Sequence, residues 1–278
     1  MFMMSLLPRR LLCSRQPFCL MSRILPGGCI NKCYVVQRSY SSDESQSFYG
    51  SFRKNLQLMK EEFVTKLKSP NLDTMFDRSR ILWQYTGPES LKDFKLITDK
   101  DIGGGSTAEL AISRNNKLLF QGNLNTDIPR DGQTVRSGYC ALRTLNKYGS
   151  FNRKLQMDLT PFNMLHLRIK GDGRAYMVNI YTHSYFSLTH DDVWSYFMFT
   201  RGGPYWQTVN IPFAKFFLSS KGRVQDKQSP VDLERVTAFG LTMADAINGE
   251  FTLELDSISA SYDATETEEF VYEEYRQS

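Results

Sequence analysis

The sequence predicts an all-β fold, an antiparallel β-sandwich or jelly roll, preceded by an N-terminal amphipathic helix. Three observations carry that prediction. Several short runs after Trp83 alternate apolar and polar residues with a period of two. Glycine-rich turn signals separate those runs, and no helical periodicity interleaves them, which argues against a βαβ arrangement. Of the 278 residues, 41% are hydrophobic and 23% charged, values that exclude disordered, collagen-like and membrane-embedded classes.

Residues 1–42 read as an address. They contain Arg9, Arg10, Arg15, Arg23, Lys32 and Arg38, and no acid occurs before Asp43. This Arg- and Ser-rich, acid-free composition is that of a mitochondrial transit peptide. A secretory signal needs an unbroken apolar core of ~7–15 residues, which Arg15 and Arg23 interrupt. The run Arg38-Ser39-Tyr40-Ser41-Ser42 resembles the arginine-led site cut by the matrix processing peptidase, which would leave Ser41 first. Loss of those six cations takes the formal net charge from +4 to −2, so the fold itself is not basic and a nucleic-acid partner is not expected. Four of the five cysteines (Cys13, Cys19, Cys29 and Cys33) lie in the same leader. Cys140 alone remains, so neither a disulfide nor a structural metal is expected. No later stretch is apolar over the ~20 residues a membrane span needs, which limits any membrane association to a peripheral one.

From Ser51 to Lys68, Phe52, Leu56, Met59, Phe63 and Leu67 recur at intervals that place them on one helical face, and Ser69-Pro70 ends the pattern. Arg53, Lys54, Lys60, Lys66 and Lys68 outnumber Glu61 and Glu62 on the rest of the surface. Such a basic amphipathic helix is expected to pack its stripe on the main domain; docking on a partner or on an anionic membrane is the alternative.

The strands follow. Ala108-Leu110-Ile112, Leu165-Leu167-Ile169, Tyr176-Val178-Ile180, Trp194-Tyr196-Met198, Phe239-Leu241-Met243 and Phe251-Leu253-Leu255 each mark one buried face. Turns are expected at Gly103-Gly104-Gly105, Asp131-Gly132, Gly171-Asp172-Gly173, Gly202-Gly203-Pro204, Lys221-Gly222 and Asn248-Gly249. The resulting divisions are a leader at 1–42, a helical extension at 43–82, the sandwich at 83–260 and an acidic tail at 261–278. The tail, with Asp263, Glu266, Glu268, Glu269, Glu273 and Glu274 against Arg276, is expected to be solvated, although Phe270, Tyr272 and Tyr275 leave a docking role open.

Reactive chemistry is hard to find. Ile102-Gly103-Gly104-Gly105-Ser106-Thr107 lacks the lysine of a phosphate-binding loop and precedes a strand, so it reads as a turn. His166, His183 and His190, the last followed by Asp191 and Asp192, have no spacing that forces convergence on a metal. Glu254 and Asp256 share a strand face and are read as solvating groups, because paired glycosidase carboxylates flank a cleft. No nucleophile elbow is present, so no catalytic residue is expected. The aromatics Tyr205 and Trp206, beyond the Gly202-Gly203-Pro204 turn, and Trp194 with Tyr196 on the preceding strand could form a partner-binding or sugar-stacking platform. At least one of the tryptophans is expected in the core.

Asp99-Lys100-Asp101-Ile102-Gly103-Gly104-Gly105-Ser106, Phe120-Gln121-Gly122, Ser137-Gly138-Tyr139-Cys140, Leu167-Arg168-Ile169-Lys170-Gly171-Asp172-Gly173-Arg174, Gly202-Gly203-Pro204-Tyr205-Trp206-Gln207 and Ile211-Pro212-Phe213 together resemble the complex I intermediate-associated protein family, over about Trp83 to Ile258. The resemblance implies a galactose-binding-like jelly roll, related to carbohydrate-binding modules, that acts without cofactor as an assembly factor for mitochondrial respiratory complex I. Implied partners are complex I subassemblies and other assembly factors, including an acyl-CoA dehydrogenase homologue, at the matrix side of the inner membrane. A sugar-binding module and an enzyme using Glu254, Asp256 or the His190 cluster are the rival readings.

Overall fold

The structure, a computed structural model, describes residues 48–68, 79–128, 134, 137–183, 191–220, 223–267 and 270–272, with side chains at positions 50–64 of the first helix. The leader with its processing site and cysteines, Ser69-Pro70, Asp131-Gly132, His190, Lys221-Gly222, Glu268, Glu269, the tail beyond Tyr272, and the side chains of Lys66, Leu67 and Lys68 lie outside the described residues.

Helix α1 spans Phe48–Lys68, beginning three residues ahead of the periodic stretch. Among the described residues thirteen strands follow: β1 (Ser79–Gln84), β2 (Phe94–Thr98), β3 (Thr107–Ile112), β4 (Leu118–Leu124), β5 (Cys140–Thr144), β6 (Met164–Lys170), β7 (Ala175–His183), β8 (Asp191–Phe199), β9 (Gln207–Pro212), β10 (Phe217–Ser220), β11 (Arg223–Val224), β12 (Val236–Met243) and β13 (Gly249–Ser261). One sheet runs β3-β4-β13-β6-β9 with β1 also paired to β13; the other runs β11-β10-β8-β7-β12-β5-β2. Every pairing is antiparallel. The predicted antiparallel sandwich is therefore the observed fold. It begins at Ser79, inside the segment assigned from sequence to the helical extension, because Ser79–Gln84 pairs with Ser257–Ser261.

The core lies between the sheets. Leu165, Leu167 and Ile169 of β6, Phe251, Leu253 and Leu255 of β13, Tyr176, Val178 and Ile180 of β7, and Phe239, Leu241 and Met243 of β12 are all buried. Alternation puts one side chain in two on that inner face, which is why the periodic runs coincide with strands. Strand β13 is the spine of its sheet. Its first half pairs with β4, its second half with β1, and β6 lines its other edge.

Candidate partner-binding surfaces

The glycine-rich motifs turn out to hold the scaffold together. In Asp99-Lys100-Asp101-Ile102-Gly103-Gly104-Gly105-Ser106 the chain turns around the fully buried Asp99 carboxylate, with Gly103 in the left-handed region at φ 82°. That carboxylate accepts hydrogen bonds from Ser106 N–H at 2.9 Å, Ser106 Oγ at 2.8 Å and Gly138 N–H at 2.8 Å. A side chain at Gly104 would place its Cβ 2.2 Å from Asp99 Cγ, so glycine is required for the close approach. The expected turn is present, and its donors are already engaged by a carboxylate of the same loop.

The Gly171-Asp172-Gly173-Arg174 turn joins β6 to β7 and ties them to the segment before β13. The Arg174 guanidinium bonds Asp245 through two nitrogens, at 2.8 and 2.5 Å, and donates further to the carbonyls of Gly249, Glu250 and Ile247. Those Asp245 hydrogen bonds hold Arg174 above its ordinary pKa. Burial pushes the Asp245 carboxyl up, but the Arg174 bonds and charge together with the Ile247 amide outweigh it and hold the group below its usual range. Asp172 accepts from Tyr176 Oη at 3.0 Å and from Thr252 N–H at 2.7 Å.

Glu254 and Asp256 face outward but are not the solvated pair the sequence suggested, since both are buried. Glu254 is covered by Lys170 at 3.0 Å and Asn115 at 2.9 Å, and Asp256 by Lys117 at 2.6 Å and Arg168 at 3.4 Å. Strand β6 and the residue just before β4 thus supply cations to β13, a long-range pairing that the local pattern does not reveal. Burial raises the Glu254 pKa, but its Asn115, Lys170 and Ser113 bonds prevail and the net direction is down. An acid needed to donate a proton is poorly placed there. His166 bonds Asn210 and Ser261 through its two ring nitrogens. Among the described residues no three His, Cys, Asp or Glu side chains gather as a metal site.

The four aromatics singled out from sequence separate. Trp194 is buried in the core and donates from Nε1 to Ser229 O at 3.1 Å; Tyr196 shares its face and packs on Phe216 at 5.8 Å between ring centroids. Both lie on the inner face of β8, the one that also carries Met198. Trp206 is half-buried, whereas Tyr205 is 81% exposed. The opposite face of β8 adds Phe197 and Phe199, the latter 77% exposed. Phe197 and Phe199 are out of phase with the core, so the alternation that marks buried residues passes over them.

On that same outer face a polar row crosses four strands. Asn179 Nδ2 donates to Thr242 Oγ1 at 2.9 Å, Ser195 Oγ donates to Asn179 Oδ1 at 2.8 Å, and Ser195 and Ser219 hydroxyls lie 2.9 Å apart. Beside it the Arg143 guanidinium sits 4.0 Å from the centroid of the Tyr181 ring and bonds Asp191 at 2.6 Å, which Lys154 also reaches at 3.1 Å. The row's hydroxyls and one face of Tyr181 are therefore committed within the protein. The tail is not wholly solvated, as the sequence had suggested. Asp263 and Glu266 carbonyls accept from Asn163 Nδ2, Tyr272 Oη donates to Lys215 O at 3.0 Å, and the Tyr272 ring meets Phe217 edge-on.

Helix α1 binds the turn at 149–153 by one side. Glu62 accepts from Ser150 N–H at 2.7 Å and from Arg153 at 3.0 Å, and Asn55 Oδ1 accepts from Phe151 N–H at 2.9 Å. The Ser150 amide holds the Glu62 carboxyl below its ordinary pKa, overcoming a smaller upward push from burial. The predicted packing of the apolar stripe on the domain does not occur: Phe52, Leu56, Met59 and Phe63 are all exposed, Phe63 by 65%. The polar bonds seat a neighbouring face, and the Phe52 ring meets that of Phe151 edge-on at 6.4 Å between centroids. Among the described residues no helix is long and apolar enough to cross a membrane.

Known proteins resemble this chain in sequence and in fold. The family model described as complex I intermediate-associated protein 30 matches residues 83–255. A mouse protein named "Complex I intermediate-associated protein 30, mitochondrial" is 43% identical over 220 residues, spanning 77% of this chain and 67% of the relative. The Drosophila melanogaster protein of the same name is 40% identical over 228 residues, spanning 81% and 77%. Among solved structures, a family 11 carbohydrate-binding module from a cellulosomal cellulase of Clostridium thermocellum superposes with a TM-score of 0.48 at 16% identity, over 66% of this chain and 95% of the module. The chain is a mitochondrial protein and belongs to the complex I intermediate-associated protein 30 family.

Proposed function

We propose that the chain is a non-catalytic assembly factor on the matrix side of the inner membrane, holding intermediates of respiratory complex I until later subunits displace it. The observation that carries this reading is the exposed Phe199 and Tyr205 on the sandwich, in a chain whose mouse and fly relatives are named for association with complex I intermediates. Exposed aromatics on a stiff scaffold are suited to anchoring a protein interface. Binding a partial assembly, but not the finished one, favours progress by mass action. The acids weighed for catalysis from sequence, Glu254 and Asp256, are ion-paired within the sheet, which supports a binding role over an enzymatic one. Other assembly factors, an acyl-CoA dehydrogenase homologue among them, belong to the same proposal.

The test is affinity purification of the tagged chain from mitochondria that lack the native copy. The expected result is co-purification of complex I precursors, reduced several-fold in a Phe199→Ala/Tyr205→Ala variant of unchanged thermal midpoint. Normal complex I levels in mitochondria without the protein would overturn the proposal.

A further inference from the structure

The stripe on α1 calls for an occupant. The helix is 21 residues long, and Asn55, Leu58 and Glu62 turn its half-buried side toward the sandwich. Phe52, Leu56, Met59 and Phe63 project about a quarter turn away from that side, all exposed. The stripe is extended by the turn on which the helix sits. Phe151 is held there in the left-handed region at φ 54°, is exposed, and meets the Phe52 ring. A convex row of apolar side chains continued by a protruding ring fits a soft planar surface.

Charge selects the surface. Arg53, Lys54 and Lys60 are exposed, and helical spacing puts Arg53 and Lys60 along the free border of the stripe. Glu62 is on the seated side, bound to Ser150 and Arg153, so its charge is answered inside the protein. Glu61, which accepts from Gln57, is the remaining acid at the described helix positions. Apolar residues on one face with cations at the border are the pattern of a helix lying in the interface of an anionic bilayer.

We propose that α1 is an interfacial anchor. Phe52, Leu56, Met59, Phe63 and Phe151 enter the headgroup–acyl boundary of an anionic membrane, and Arg53 and Lys60 pair with lipid phosphates. The seating of α1 through Glu62 and Asn55 fixes the orientation of the whole sandwich over the bilayer. The anchor is independent of which partners the sandwich binds.

The experiment uses the full chain with phosphatidylcholine vesicles, with and without phosphatidylglycerol. Because the basic leader could itself bind anionic lipid, the readout must report on α1. A Phe63→Trp variant supplies it: the difference emission relative to the parent chain should shift to the blue on mixed vesicles, not on phosphatidylcholine alone, and the shift should fade with added salt. A Leu56→Ser/Met59→Ser/Phe63→Ser variant should keep its thermal midpoint, since these side chains are exposed, and partition about tenfold less onto mixed vesicles. An unshifted difference emission from the Phe63→Trp variant while the chain floats with vesicles would assign binding to the leader and overturn the anchor. Equal partitioning of the triple variant would also overturn it. So would unchanged vesicle binding combined with lost capture of protein partners, which would make the stripe a protein-docking face.

Discussion

Arg174→Ala tests whether the Gly-Asp-Gly-Arg turn is a structural tie. The substitution removes a side chain only 14% exposed and strands the Asp245 carboxylate, 8% exposed, without its counter-charge. Breaking one partner of a buried ion pair costs about 3–5 kcal/mol. Carbonyls of Gly249, Glu250 and Ile247 lose a donor at the same time, which places the expected loss toward the upper part of that range. For a domain of this size the equivalent fall in thermal midpoint is roughly 6–20 °C, at about 2–4 °C per kcal/mol. Arg174→Lys restores the charge but not the planar fork, so it should recover about half of the loss. Urea unfolding followed by far-UV circular dichroism is the assay, with an unchanged m-value as the check that the unfolded state is the same. In a double-mutant cycle with Asp245→Ala the two sites should couple by at least about 1 kcal/mol. A loss below about 1 kcal/mol for Arg174→Ala, or additive single and double variants, would refute the tie. So would a stable Arg174→Ala protein that fails only in partner capture, since that would make the guanidinium a recognition group.

Two further outcomes follow from the same geometry. Gly104→Ala should destabilise by about 1–3 kcal/mol in urea, because its Cβ must displace the Asp99 carboxylate from its three donors; a neutral effect would mean the loop relaxes freely. Asp245 and Glu254 have folded pKa values below their ordinary ones. Their contribution is therefore fully present above about pH 4 and is lost as pH falls through the depressed folded values. The midpoint should drop steeply below about pH 4, and Glu254→Gln should flatten part of that drop; superimposable profiles for the two proteins would contradict the assignment.

The fold was legible where a local rule applied. Period-two runs such as Leu165-Leu167-Ile169 became core-facing strands because alternation alone decides which residues can meet the opposite sheet. Spacing likewise marked a helix over Ser51–Lys68, which is observed from Phe48 to Lys68. What spacing cannot give is the identity of the neighbour. The α1 stripe has helical periodicity whether it is covered or bare, and the bonds of Glu62 and Asn55 to residues 88 and 96 positions away decided the matter. Glu254 and Asp256 looked wet for the same reason: their lysines arrive from β6 and from the residue preceding β4. Trp194 and Phe199 are similar letters in a sequence, and only the phase of β8 against the core separates a filler from an exposed ring.

The position of β13 in the chain sets a schedule. Gly249–Ser261 is the last strand in order among the described residues, yet β1, β4 and β6 all pair with it. A polypeptide threaded into an organelle amino end first must hold those earlier strands with open edges until this final segment has come through. Truncation shortly before Gly249 would leave three strands without their common neighbour, and delay at that stage exposes them to mispairing. A protein proposed to shelter unfinished assemblies thus passes through a long unfinished stage of its own.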